Sequence, residues 1–168
     1  HYGQRWGRHW LDVIGYTESD GFENDKFRAF SWPYRDYVIN SFNANLPYDR
    51  FVRQQIAGDV LPEANRHTIA ATGFLVSGEW DEVQHVGSSK SEMRRAREEE
   101  LAEMIATVSG TFLGLTVHCC RCHDHKFDPL PQADYYRVRA VFDGVEHSPG
   151  STPGNRPLVA ATVAEKLD

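Results

Sequence analysis

Residues His118 to Pro129 read HCCRCHDHKFDP, a run that holds all three cysteines of the 168-residue chain and three of its eight histidines. Within it, Cys119, Cys122 and His123 form C-x-x-C-H. The spacing has a chemical reason. Two thiols three positions apart can add to the two vinyl groups of one haem, and the next residue then presents an imidazole to the iron. The expectation is one covalently attached haem c, with Cys119 and Cys122 as thioether donors and His123 as proximal ligand. The second ring nitrogen of His123 stays free for a supporting hydrogen bond.

Other uses of the cluster stay open. A structural zinc site built on Cys119, Cys122 and His123 needs a fourth ligand, and the chain has no second C-x-x-C and no H-x-x-x-H. A thioredoxin-like redox pair requires a βαβ context. A disulfide framework leaves one of three cysteines over. Cys120 is read either as a small buried residue beside the haem edge or as a thiol that complicates attachment.

Around the cluster the hydrophobic period is helical. WGRHWLDVIG puts Trp6, Trp10, Val13 and Ile14 on one face, with Gly15 as a stop. WPYRDYVINSFNANL and PYDRFVRQQIAGDVLP each carry a proline near the start, Pro33 and Pro47, and apolar residues at helical spacing, and meet in a tight NANLP turn. HTIAATGFLVSG is helical by length and alanine content, with a buried strand as the alternative. KSEMRRAREEELAEMIATVSGTFLGL is the longest helical signal, through Leu101, Met104, Ile105, Val108 and Phe112. PQADYYRVRAVFDGV follows the cluster as another helix, through Tyr135, Val138, Val141 and Phe142. YTESDGFENDKFRAFS has neither period and reads as an ordered loop, and 81–90 is polar and reads as mobile. The fold expected is all-α, a compact multi-helix domain with long loops around the haem. That domain spans 1–145, and a Pro/Gly/Ser-rich linker or tail fills 146–168.

Composition removes several classes. The formal charge is -6 with no basic stripe, so a nucleic-acid partner is not expected. No run reaches the ~18 apolar residues of a membrane span, and no signal peptide opens the chain. It begins on His1 rather than Met, as a processed protein, a trimmed one or a fragment of a longer chain does. No Gly-rich phosphate loop and no G-x-S-x-G elbow is present. Glu18, Asp20, Glu23, Asn24 and Asp25 cluster in the acidic loop; a calcium site there does not fit EF-hand spacing, and a solvated loop is the reading preferred.

Three segments together, RWGRHWLDVIGYTESDGFE, WPYRDYVINSFNANLPYDRFVRQQIAGDVLP and FLGLTVHCCRCHDHKFDPLPQADYY, resemble the successive blocks of the planctomycete-type cytochrome c domain family DUF1549, also called PSCyt2. The resemblance covers about residues 1 to 145 in order. It implies export (periplasmic or cell-surface) and covalent haem at Cys119 and Cys122 with His123 as ligand. It further implies a longer parent chain, with family sequence before His1, a second cytochrome-type domain upstream and a DUF1553 domain downstream. Cys120 departs from the family pattern.

A second axial ligand separates a closed electron carrier from an open site that takes small molecules. His9, in the Trp-rich first helix, is the first candidate for the distal position, and Met104 is the second. His118 and His125 lie too close to His123 in sequence to reach the opposite face of the ring. Met93 and His85 read as solvated, and His67 as a residue of a helix start. In DHKFDP, Lys126 and His125 have the charge to meet haem propionates, with a helix-ending turn before Pro129 as the plainer account. The leading expectation is a monohaem c-type cytochrome domain transferring electrons to a redox partner or to adjacent domains. An open-sided haem sensor or peroxidase-like enzyme is the second. A glycan-recognition module with structural haem is the third, with polysaccharide as partner and Tyr16, Phe22, Trp32 and Trp80 as exposed platforms.

Overall fold

The computed structural model describes residues 1–83 and 89–145; His85 and the 146–168 tail lie outside the described residues. Six α-helices and no strand occur among those described: α1 (Tyr2–Val13), α2 (Trp32–Asn43), α3 (Tyr48–Ala57), α4 (Arg66–Ala71), α5 (Lys90–Leu113) and α6 (Gln132–Phe142). Two 3₁₀ turns, Thr72–Val76 and Val117–Arg121, complete the elements. The chain is all-α, and no described helix is long and apolar enough to cross a membrane. It forms two compact units, 1–80 and 81–145.

In the first unit, the buried residues of α1 are Gly3 and Gly7, not the tryptophan stripe. Trp6 and Val13, expected on the packed face, are 47% and 63% exposed. Glycine lets the α1 backbone lie directly against α2. A Cβ at Gly3 would sit 2.2 Å from the Ile39 carbonyl, while its N–H donates to Asn43 Oδ1 at 2.8 Å. Hydropathy gives glycine no weight, which is why the periodic reading takes Trp6 and Val13 for packed residues and passes over Gly3 and Gly7. Trp10 and Ile14 do turn inward, and Gly15, at φ 65°, ends the segment in the left-handed region.

Three helices meet at Gln55, which is fully buried on α3. Its Oε1 accepts from Trp10 Nε1 of α1 at 3.0 Å and from the Tyr34 hydroxyl of α2 at 2.8 Å. Phe51, one turn earlier, stacks on Tyr37 with centroids 5.8 Å apart and takes the Trp10 ring edge-on at 4.8 Å. The apolar run before Ser77 resolves as helix rather than strand. Asn65 caps α4 through the His67 and Thr68 N–H groups, and residues 68–77 are all buried. His67 is thus a residue of the first helical turn, as expected.

The loop between α1 and α2 is ordered by a buried ion pair. Arg28 Nε donates to Asp20 Oδ1 at 2.7 Å, and Arg28 Nη1 donates to the Gly78 carbonyl at 2.8 Å. The Trp80 N–H donates to the Asp20 carbonyl at 2.9 Å, so Trp80 is buried at 4% exposure and is no exposed platform. Glu18 holds Arg35, and Asp25 accepts the Gly21 N–H at 3.0 Å. Glu18, Asp20 and Asp25, all weighed above for calcium, are thereby committed to the protein itself, and Asp20 is buried rather than solvated.

In the second unit, Ser89 and Glu92 form a capping box at the start of α5. Leu101, Met104 and Ile105 of α5 pack with Val117, Cys120, Tyr135 and Phe142 as its buried apolar residues. Val141, expected inward, is 73% exposed. Two arginines tie α5 to α6: Arg97 Nη2 donates to the Asp143 and Val145 carbonyls at 3.0 and 2.5 Å, and Arg139 forks onto Glu98.

Two outcomes follow. Gly3→Ala should lower stability by about 1–3 kcal/mol in denaturant titration because its Cβ meets backbone, whereas Gly110→Ala, in the last turn of α5 and with nothing within 4 Å, should raise it by up to about 1 kcal/mol. Burial pushes the Tyr16 hydroxyl up to about 12 and also raises Tyr34 and Tyr37. The unfolded chain ionises its tyrosines near ~10, so their contribution should be intact below that pH and fall as pH climbs toward the folded values. Stability measured against pH, alongside phenolate absorbance, checks this.

Candidate functional site

The cysteine cluster begins where α5 stops. Gly114 takes a left-handed conformation at φ 64°, and the Leu115 N–H returns to the Ser109 carbonyl at 3.2 Å, closing the helix end. The chain then makes the 3₁₀ turn Val117–Arg121, with Cys122 at its C-terminal cap. In a 3₁₀ helix, residues three apart eclipse one another. Val117 and Cys120 accordingly share the inner face at 6% and 0% exposure, while Cys119 and Cys122 share an outer face and are both exposed, free thiols.

This period settles the place of Cys120. Its Sγ donates to the Leu130 carbonyl at 3.4 Å, and burial pushes its thiol above the ordinary range, so it stays protonated. It is a small core residue of the second unit.

His123 is exposed, and its Nδ1 lies 2.7 Å from the Asp124 carbonyl oxygen. A carbonyl only accepts, so this contact assigns the ring proton to Nδ1 and leaves the Nε2 lone pair open. A backbone carbonyl on the far nitrogen is also the usual support of a metal-binding imidazole. Asp124 is itself anchored. Its Oδ1 accepts the Gln132 N–H at 2.7 Å, at the start of α6, where the cap residue Pro131 offers no side-chain acceptor. Gln132 Nε2 and the Tyr136 hydroxyl both donate to the Arg121 carbonyl at 3.1 Å. The first turns of α6 thus clasp the cysteine segment from behind. Sequence reasoning missed Gln132 and Tyr136 and read Asp124 only as part of the DHKFDP run; the one signal for its role was an acidic residue shortly before a proline-led helix.

His125 is held differently. Its Nδ1 accepts the Asp128 and Phe127 N–H groups at 2.9 and 3.2 Å, and its Nε2 lies 2.8 Å from Thr116 Oγ1. Since backbone N–H groups only donate, the proton sits on Nε2 and both nitrogens are engaged within the loop. Lys126 remains exposed, its Nζ 5.2 Å from the centroid of the Phe127 ring. Phe127 is 83% exposed.

Of the distal candidates, Met104 is sealed in the second unit's core at 4% exposure. His9 belongs to the first unit, exposed on α1 with its ring 5.6 Å from that of Trp6. His118 and Met93 are exposed. Among the described residues no three His, Cys, Asp or Glu side chains converge to hold a metal ion, so the zinc reading gains no fourth ligand. A thioether-held haem makes a smaller demand on the protein: two outward thiols on one face and a neighbouring imidazole with an open nitrogen. Cys119, Cys122 and His123 fit that demand.

Titration with a thiol reagent tests the two faces. Two thiols should react in the native protein and the third only in denaturant, and Cys120→Ser should leave the native count unchanged. Rapid labelling of all three would contradict the assigned faces.

No curated protein and no solved structure matches the chain. One family model does, PSCyt2, described as a protein of unknown function (DUF1549), and it covers residues 1–147, which takes in both compact units. The chain belongs to the PSCyt2 (DUF1549) family.

Proposed function

We propose that this chain is a monohaem c-type cytochrome domain that passes single electrons to a redox partner or to adjacent domains of a longer chain. The observation that carries the reading is the outer face of the 3₁₀ turn, where two free thiols sit beside an imidazole whose proton is committed to the Asp124 carbonyl. When bound, haem supplies reversible one-electron chemistry at iron. The protein's part is placement. Cys119 and Cys122 supply the thioether sulfurs, and His123 offers Nε2. Asp124 keeps the imidazole in that tautomer while Gln132 keeps Asp124 in place. Lys126 is the cation for a propionate, whereas His125 has given both nitrogens to its loop. An exported location accompanies this reading, as it does for covalently attached haem in the family the chain resembles.

A second reading, an open-sided haem sensor or peroxidase-like enzyme, draws support from the second unit itself. Met104 is core there and His125 is committed, which leaves exposed His118 and Met93 as its other described His and Met side chains beside His123.

Expression in a host with c-type maturation, followed by intact mass and visible spectra, tests both. The expected result is a mass gain of one haem that is lost in the Cys119→Ser, Cys122→Ser double variant, with sharp reduced bands. Bands indifferent to carbon monoxide support the electron carrier, and ready carbon monoxide binding supports the second reading. A chain that leaves a competent host without haem overturns both.

A further inference from the structure

A groove of about 490 Å³ lies in the first unit, between α2 and the start of α4. It falls within the size range of small-molecule sites. Trp32, Asp36 and Asn40 recur every four residues along one face of α2, and Phe30 stands just before the helix. Arg66 and His67, from the first turn of α4, line the other side. Phe30 and Trp32 are 43% and 49% exposed, an aromatic surface that the other described residues do not cover. The side chains of Asn40, Arg66 and His67 form no hydrogen bond or ion pair among the described residues, and Asp36 makes only a long contact of 3.7 Å with Arg35.

The composition of this lining selects its ligand. Asp36 only accepts, Arg66 only donates, and Asn40 and His67 do either. An apolar ligand would desolvate four polar groups without repayment in hydrogen bonds. An anion would meet the Asp36 carboxylate, and a cation the Arg66 guanidinium. An extended peptide calls for a ladder of backbone partners, and no strand edge is present among the described residues. A ring that is apolar on its face and carries hydroxyl groups around its rim satisfies both halves of the lining. Its face covers the aromatics, and hydroxyls that donate and accept match the mixed polar rim.

We infer that this groove is a binding subsite for a neutral carbohydrate, with Trp32 and Phe30 as the stacking platform and Asp36, Asn40, Arg66 and His67 as the hydroxyl-binding groups. The assignment is independent of the cysteine cluster, which lies in the other unit. It also moves the sugar platform away from Trp80, which is buried.

The test titrates the whole chain with cellotetraose, chitotetraose, laminaritetraose and maltotetraose, followed by tryptophan fluorescence and amide chemical shifts. At least one should bind saturably at millimolar concentration or below, with shifts centred on Asn40 and His67. Trp32→Ala should weaken that binding by about tenfold, and Asn40→Ala by about three- to tenfold, with circular dichroism and thermal midpoint unchanged. Both residues are exposed, so neither substitution removes core. Absence of saturable shifts with all four sugars overturns the inference, as does binding that Trp32→Ala leaves intact. Preferential occupation of the Trp32 face by a proline-rich decapeptide overturns it as well and assigns the groove to peptide.

Discussion

One amide oxygen organises the first unit. Oε1 of Gln55 takes two donors at once, an indole N–H from α1 and a phenol from α2, in a site closed to water. The indole N–H also reaches the Tyr34 hydroxyl oxygen at 3.1 Å, so removing the Gln55 oxygen would strand the buried Tyr34 hydroxyl in particular, at a cost of about 1–3 kcal/mol. The arrangement is specific as well as stabilising, because a buried polar group accepts few alternative geometries. Helix α1 can reach Gln55 only by lying close to α2, and that closeness depends on Gly3 and Gly7. Two residues without side chains therefore decide whether the tryptophan arrives at its acceptor.

The second unit solves a different problem, that of offering reactive side chains while folding around their neighbours. A 3₁₀ turn divides its residues among three faces. One of them is core, through Val117 and Cys120. The loop that follows is stiffened by an imidazole that bonds at both ends and by a carboxylate on a helix N-terminus. His123 thus sits between two fixed points, the turn before it and the start of α6 after it. Preorganisation of this kind lowers the entropy that any ligand of the site must remove on binding.

The helices are legible in the sequence because proline, glycine and the 3.6-residue period mark them, and all six follow that reading in order. The face of α1 is legible only in Trp10 and Ile14, since the part of its packing surface made of Gly3 and Gly7 carries no hydrophobic signal. Trp80 misleads for a related reason. A tryptophan among polar residues looks exposed until a buried arginine from a distant loop, Arg28, draws its segment inward. In the cluster, C-x-x-C-H marks the three outward residues without ambiguity of position. The inward turn of Cys120 and the double engagement of His125 depend on a period of three and on loop closure across Thr116, Asp128 and Leu130. Such contacts arise only once the chain has turned back on itself.

The inner placement of Cys120 has a consequence for oxidation chemistry. In an unfolded chain, three thiols within four residues permit three pairings, two of which would trap Cys120 and strand one of its neighbours. Once Val117 and Cys120 have turned inward, the only pair open to an oxidant is Cys119 with Cys122. Folding acts here as the proofreading step: it leaves the surplus thiol in place yet withdraws it from thiol–disulfide exchange.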